Sequence, residues 1–533
     1  MTGHITHARL PRVDDSTACA LIAALDNPLA FGHPVKYIRL IETHISWVIL
    51  TGDYAYKIKK PVNFGFLDFS TLEKRHFYCE EELRLNRRFA AEIYLELVEI
   101  RGSQDAPRLQ GSGEVIEYAI KMLEFPQQCL LSSHAAKDDL SPELIDDIAA
   151  TVSAAHGNSD RAEQADDFGT ATIAAQWSAE NMDQISNAIP REFLPDSYFE
   201  LERWYQENNA LLANIDARKH EGFVRECHGD LHLGNMALIG GRVTLFDCIE
   251  FNPELRWIDT ISEAAFVAMD LNARGFPGYC WRFLNRYLES SADYAGIKLL
   301  RYYFIYRALV RAKVEALRVD QEACDTDTYR AHIKPALDYI ELAGRWSSSH
   351  RAGLVIMHGL SGSGKSTIAA QLVEQLGAIQ IRSDVIRKGL FDFNADAQTG
   401  SALAEGIYSD EATELTYRRM REIAATIIGA DFTVIVDATF LLESQRRTLL
   451  ELETDPMCHK IIIDCEVPTA ELRKRIVERE NDPSEANLEV LEQQLRSQQP
   501  ISEAEKKLAQ IVTIGSAGIS TDQVQQVRDL LAN

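Results

Sequence analysis

Gly359-Leu-Ser-Gly-Ser-Gly-Lys365-Ser366-Thr367 constrains this chain more than any other stretch, because few backbone contexts admit it. It follows the apolar run Leu354-Val-Ile-Met357 and leads into a helical pattern from Ile368 to Leu376. Strand, glycine-rich turn and helix in that order make a phosphate-binding loop of the G-x-x-x-x-G-K-[ST] kind. Gly359, Ser361, Gly362, Ser363 and Gly364 would turn backbone N–H groups inward on phosphates. The helix N-terminus adds its partial positive charge. Lys365 would reach the outer phosphates of ATP, Ser366 would offer a hydroxyl to Mg²⁺, and Thr367 closes the motif. Such a loop specifies a nucleotide but no reaction.

Bulk properties narrow the class. At 533 residues the chain exceeds a single core and should hold two or three domains. With 46% hydrophobic and 25% charged residues it has an ordinary globular composition. A net charge of −25 argues against long nucleic acid as a partner, since phosphate backbones need basic surface. The nine cysteines are scattered, without a C-x-x-C pair, as expected for reduced thiols in a cytoplasm. No apolar run approaches the roughly 18 residues that would span a bilayer, and the N-terminus lacks the apolar core of a signal peptide. No membrane partner is expected. The sequence is silent on oligomeric state.

Along the chain, the pattern predicts strands over 35–41, 45–50 and 54–59, a charged helix over 71–91, and strands over 96–101 and 115–123. The Gly/Ser/Pro-containing stretch 102–113 reads as a loop. From about 141 to 342 the texture is helical, interrupted by short strands around a polar turn between Phe223 and Phe251. Arg345-Trp-Ser-Ser-Ser-His350 is the candidate linker, giving an α+β unit over 1–345, a connector over 346–352 and a second unit over 353–533. In the second unit strands and helices alternate, which predicts an α/β fold with a parallel sheet.

A second constellation lies far from the glycine-rich loop. His228-Gly-Asp230-Leu-His232-Leu-Gly-Asn235 precedes a strand, and Thr244-Leu-Phe-Asp247 closes the next one. H-x-D-x-x-x-x-N followed about a dozen residues later by Asp is the arrangement of a kinase catalytic loop with its metal-binding acid. An alcohol attacking a γ-phosphoryl group needs a carboxylate to orient it, and Asp230 is placed for that. Asn235 and Asp247 can ligate Mg²⁺ together.

These residues, with Phe246-Asp-Cys-Ile-Glu250, resemble the aminoglycoside phosphotransferase branch of the protein-kinase-like fold. The resemblance covers about 30–340, with its specific motifs between 228 and 260. It implies a bilobal fold, a nucleotide-binding lysine in the N-terminal lobe and a helix glutamate paired with it. Lys57 is the candidate lysine, and Lys59 shares its face by period 2. Glu82, of Glu80-Glu-Glu82, is the candidate partner. Asp247-Cys-Ile replaces D-F-G and no G-x-G-x-x-G precedes Lys57, so the chain is no protein kinase. Asp259 either steadies the catalytic loop or caps a helix.

In the C-terminal unit, Asp384 and Arg387 stand three apart at a strand-to-helix transition, where Asp384 would activate an acceptor hydroxyl and Arg387 would hold the acceptor. A helix-capping Asp beside a surface Arg is the competing reading. Asp437 ends the strand Val434-Ile-Val-Asp437 and can hold the Mg²⁺ water shell. Arg475 and Arg479, four apart, could close over the triphosphate; a solvated basic face interleaved with glutamates competes. This half resembles the P-loop kinases related to polynucleotide kinase, zeta-toxin kinases, chloramphenicol phosphotransferase and gluconate kinase. The order of the halves resembles bacterial fusions of an aminoglycoside phosphotransferase-like domain with an ATP-binding kinase domain.

The expectation is an enzyme with two ATP sites that transfers γ-phosphoryl groups to hydroxyls of small molecules. The alternative makes the C-terminal unit a nucleotide, polynucleotide or nucleotide-sugar kinase and the N-terminal unit a regulatory ATP-binding module.

Overall fold

A computed structural model describes residues 16–65, 67–319, 326–348, 352–391, 393, 407, 409–455, 458–478 and 487–532. The N-terminal lobe is a six-stranded antiparallel sheet. Its strands are β1 (Arg39–Glu42), β2 (Ser46–Leu50), β3 (Tyr54–Lys59), β4 (Tyr94–Ser103), β5 (Ala106–Leu109) and β6 (Val115–Leu123), in the order β1-β2-β3-β6-β4-β5. The expected loop over 102–113 is therefore a hairpin: β5 pairs with β4 from Ile100↔Leu109 to Ser103↔Ala106. Gly102 and Gly113, which suggested a loop, both take positive φ where this ribbon turns. Helix Leu72–Ala90 crosses beneath the sheet, its start fixed by Thr71 Oγ1 accepting from the Lys74 N–H.

The larger lobe is helical and carries four short strands, β7 (Val224–Glu226), β8 (Met236–Ile239), β9 (Arg242–Leu245) and β10 (Trp257–Asp259). Helix Thr260–Ala273 runs through its centre, with every residue from Thr260 to Leu271 buried. Its apolar residues pack into the lobe's core, and Glu263 and Asp270 are its buried acids.

The C-terminal unit contains a five-stranded parallel sheet of β11 (Gly353–His358), β12 (Ile379–Arg382), β13 (Val434–Asp437), β14 (His459–Cys465) and β15 (Gln510–Ile514). Their order is β12-β13-β11-β14-β15. Val355, Ile356, Val434 and Ile435 are fully buried, the pattern of a sheet covered on both faces.

The two units share one core. Trp346 and Ser347 are not part of a connector; they complete helix Thr326–Ser347, and the Trp346 ring stacks 3.6 Å from Phe304 and 5.4 Å from Trp281. The edge strand β12 is met by helix Pro277–Ser291. Asn285 Nδ2 donates to the Ala378 carbonyl at 2.9 Å, and its Oδ1 accepts from the Gln380 N–H at 2.6 Å. One amide side chain thus satisfies backbone groups of a buried sheet edge, as a neighbouring strand would.

Candidate active site

The loop His228–Asn235 is held from below by the buried helix. Glu263 accepts from the His228 N–H at 3.0 Å and the Gly229 N–H at 2.5 Å, while Asp270, two turns on, accepts from the Leu233 N–H at 2.9 Å. Residues seven apart share a helix face, so the two acids clamp both ends of the loop. His156 supports Glu263 at 3.0 Å and reaches the Tyr287 hydroxyl at 2.9 Å. Burial would lift the Glu263 carboxyl, but the His156 contact and the loop N–H groups hold it at about 2. Cys227 lies within ligand range of His156 and Glu263. These two already bond each other and the loop, so the trio reads as a hydrogen-bond network.

Asp259 takes the second of its two readings. It caps helix Thr260–Ala273 through Oδ1 and the Ile261 N–H, and it forms a bidentate pair with Arg218. Glu263 steadies the loop instead, four residues along. Its position inside an apolar helix hid that role in the sequence.

His228 is buried; desolvation lowers its pKa, and Nε2 stands 2.7 Å from the Phe246 carbonyl. That contact and Phe246 N–H to Asn235 O at 3.1 Å bring Asp247 beside the loop. Asp247 adopts φ 65, in the left-handed region that a non-glycine residue rarely takes, and its N–H donates to the Tyr94 hydroxyl at 3.1 Å. Asn235 Nδ2 donates to the Asp230 backbone carbonyl at 2.9 Å and its Oδ2 at 3.2 Å. Burial alone would raise Asp230, but His232, Arg311 and His228 hold it well below the carboxylate range.

Lys57 and Lys59 both enter the cluster. Lys57 bridges Glu82 at 2.7 Å and Asp247 at 2.5 Å, and Lys59 bridges Glu82 at 2.6 Å and Glu250. Four buried charges beside Asp247 therefore compensate one another, as burial requires. Desolvation opposes the charge on Glu82, yet its two lysines keep it ionised; Glu250, which feels Glu82 as well, is pushed upward. Asp230, Asp247 and Lys57 line one cavity of about 650 Å³ between the lobes.

The second set sits at the C-terminal ends of β11 and β13. Gly359, with φ 140, approaches the end of β14 so closely that a Cβ would fall 2.8 Å from the Cys465 carbonyl oxygen. Gly362 and Gly364 also have positive φ, and Ser361 and Ser363 are buried in the loop wall. Lys365 Nζ donates to the Leu360 carbonyl at 2.8 Å, folded over the loop that would hold phosphates. Ser366 and Thr367 are exposed in the first turn of helix Lys365–Leu376. Asp437 lies beside Met357 in register, and its Oδ2 accepts from Gln380 Nε2 at 3.0 Å.

Asp384 is half-buried, and its carboxyl is raised by desolvation and by Asp437 nearby. Arg387 is buried, with Nη1 donating to the Ile407 carbonyl at 2.9 Å and Thr413 Oγ1 at 3.1 Å. These contacts tie it to Ile407 and helix Asp410–Gly429, which rules out the surface arginine of the competing reading. Arg475 is held by Glu471 and the Ser516 carbonyl, each at 2.9 Å, and its Nη1 lies 3.8 Å from where a Gly364 Cβ would be. Arg479 lies outside the described residues. Gln494 was not foreseen: it accepts from the Ser361 N–H at 2.9 Å and donates to Ser361 Oγ at 3.0 Å. No local motif marks it.

A family model described as "Phosphotransferase enzyme family" matches residues 78–300, and one described as "AAA domain" matches 354–501. The chain is an ATP-dependent kinase in which a phosphotransferase-family unit is fused to a P-loop kinase-like unit. It belongs to the family of the uncharacterized protein Rv2004c of Mycobacterium tuberculosis, to which it is 30% identical over 480 residues, 87% of this chain and 92% of the relative. An adenylyl-sulfate kinase of Bacillus pumilus is 28% identical over 131 residues, 24% of this chain and 60% of that protein. Among solved structures, a choline/ethanolamine kinase family protein from Mesorhizobium loti is similar with a TM-score of 0.38 and 12% identity, over 61% of this chain and 94% of that one.

Proposed function

We propose that the protein carries two phosphotransfer sites, one per unit, each moving the γ-phosphoryl group of ATP to a hydroxyl of a small molecule. The observation that carries this reading is that each unit brings two acids together, Asp230 with Asp247 in one cavity and Asp384 with Asp437 at the ends of the parallel strands. In the N-terminal site Asp230 orients the acceptor hydroxyl and takes its proton, and Lys57, fixed by Glu82, binds ATP phosphate. In the C-terminal site Asp384 plays the first part. Lys365, Arg475 and the loop N–H groups of 359–367 play the second, with Arg387 fixing the helix that carries Asp384.

The oxygen donors of Asn235 with Asp247, and of Ser366 with Asp437, suit a hard cation such as Mg²⁺. When bound, such an ion neutralises charge on the phosphate oxygens. The two activities belong to units 1–345 and 353–533, with helix Thr326–Ser347 ending at their boundary. Similarity to an adenylyl-sulfate kinase favours a nucleotide-like acceptor at the C-terminal site as the second reading, with the N-terminal unit binding ATP in a regulatory role.

The test uses the full chain with labelled ATP and a metabolite extract. Asp230→Ala and Asp384→Ala should each remove a different labelled product, by at least about 100-fold for loss of the orienting base. If both variants leave every product in place, two-site phosphotransfer is wrong. Turnover lost only in Asp384→Ala supports the regulatory reading.

A further inference from the structure

The cavity shared by Asp230 and Asp247 has a wall that phosphotransfer by itself does not explain. Past Asp230 it is formed by the last turns of helix Ile297–Leu317 and the residue that follows: Val310, Arg311, Val314, Leu317 and Arg318. Arg311 and Arg318 are seven apart, on one face, with the aliphatic side chains between them. Across the cleft stands His44, in the turn between β1 and β2, with Arg318 Nε 3.3 Å from its Nε2.

The charges lining this cavity are unevenly partnered. Its carboxylates are Glu124, Asp230, Asp247 and Glu250, and each is already engaged. Glu124 accepts from the N–H groups of Thr51 and Gly52, Asp230 from Asn235, Asp247 from Lys57 and Glu250 from Lys59. A cationic acceptor would need further carboxylates or an aromatic box; Phe64, Tyr94, Phe125, Phe246 and Phe251 line other parts of the cavity, whereas the helix wall that carries Arg311 is aliphatic. The two arginines share one hydrogen-bonded carboxylate, Glu315, at 3.4 Å from Arg311 and 2.9 Å from Arg318, while Asp230 and Asp270 act on Arg311 from further off. Among the described residues no other carboxylate hydrogen-bonds these arginines, so guanidinium donors remain for an anion. The Arg311 guanidinium also lies 5.9 Å from the Tyr339 ring centre, which limits its freedom.

We propose that the N-terminal site takes an anionic hydroxyl compound, a hydroxycarboxylate or a sugar phosphate, whose acid group is held by Arg311 and Arg318 while its hydroxyl meets Asp230. Guanidinium forks match both anions, and Val310, Val314 and Leu317 suit the carbon skeleton between acid group and hydroxyl. This identification rests on the phosphotransfer reading of the same site. In the step itself the acceptor oxygen bonds to the γ-phosphorus, the bond from that phosphorus to the ADP oxygen breaks, and the hydroxyl proton passes to Asp230.

Binding and turnover are measured separately on the full chain. With a non-hydrolysable ATP analogue present, gluconate, glucose 6-phosphate, sorbitol, choline and kanamycin are compared at equal ionic strength by calorimetric titration. An anionic compound should bind, and Arg311→Gln or Arg318→Gln should weaken it by about 10- to 100-fold, the effect of one charge-assisted contact. Arg311→Lys should recover part of that loss, and the affinity for the ATP analogue should change less than about threefold. The carboxylate and phosphate arms tell the two anion sources apart.

Binding of choline or kanamycin in preference to both anions overturns the proposal, as does a loss confined to the ATP analogue. So does no binding by either anion. Turnover is then followed as product that disappears in Asp230→Ala. Anion binding without turnover leaves the charge assignment standing and removes the phosphotransfer reading; Asp230-dependent turnover of a cationic acceptor does the reverse.

Discussion

Glu263 shows how much of the N-terminal site depends on one buried side chain. Its two oxygens accept from consecutive N–H groups of the loop that presents Asp230. Glu263→Ala leaves both N–H groups and His156 without that acceptor, which should destabilise the fold by about 2–4 kcal/mol. Asp230-dependent turnover should fall at least tenfold, measured beside denaturant unfolding. Because the folded Glu263 titrates at about 2 and an ordinary glutamate at 4.5, its contribution is fully present above pH 4.5 and drains away as pH falls toward 2. Glu263→Gln should flatten stability across that window. The two proposed bases differ in the same coordinate: Asp230 is held low and Asp384 is raised. The active carboxylate of Asp384 is therefore lost at a higher pH on acidification. The acid limb of the Asp384-dependent activity should lie above that of the Asp230-dependent one, and coincident or reversed limbs would contradict these assignments.

At the scale of elements, the loop over 359–367 has little tolerance at its first glycine. A Cβ at Gly359 meets a backbone oxygen at 2.8 Å, and its φ of 140 disfavours any side chain. Gly359→Ala should weaken nucleotide binding at the C-terminal site by about tenfold or more, read by titration with a fluorescent ATP analogue. That loop, helix Leu72–Ala90 and strands β2, β3 and β6 were legible because their periodicity and caps are local properties of the chain. Asp230, Asn235 and Asp247 were legible through spacing. Strand β5 was hidden by the glycines that let its ribbon turn. Glu263 was hidden because a clamp between a helix and a distant loop leaves no local pattern, and the choice between Lys57 and Lys59 dissolved because Glu82 binds both. Gln494, Arg311 and Arg318 reach their sites only through tertiary folding.

Across the whole molecule, the polar stretch around 345–350 suggested a linker, and the packing of Trp346 on Phe304 and Trp281 shows a shared core. Small polar neighbours in sequence masked a residue whose partners, Phe304 and Trp281, lie tens of positions away. Asn285→Ala removes the partner of both the Ala378 carbonyl and the Gln380 N–H, and should cost about 1–3 kcal/mol, seen as a lower denaturation midpoint for both units together. Gln380 also holds Asp437, so the same seam touches the C-terminal site. With the units joined this way, the sites are best counted in the intact chain. Equilibrium titration with a non-hydrolysable ATP analogue and Mg²⁺ should give two nucleotides bound per chain, falling to one in Lys57→Met and to one in Lys365→Met. A single nucleotide per chain in the unaltered protein, or two in either variant, would contradict the account.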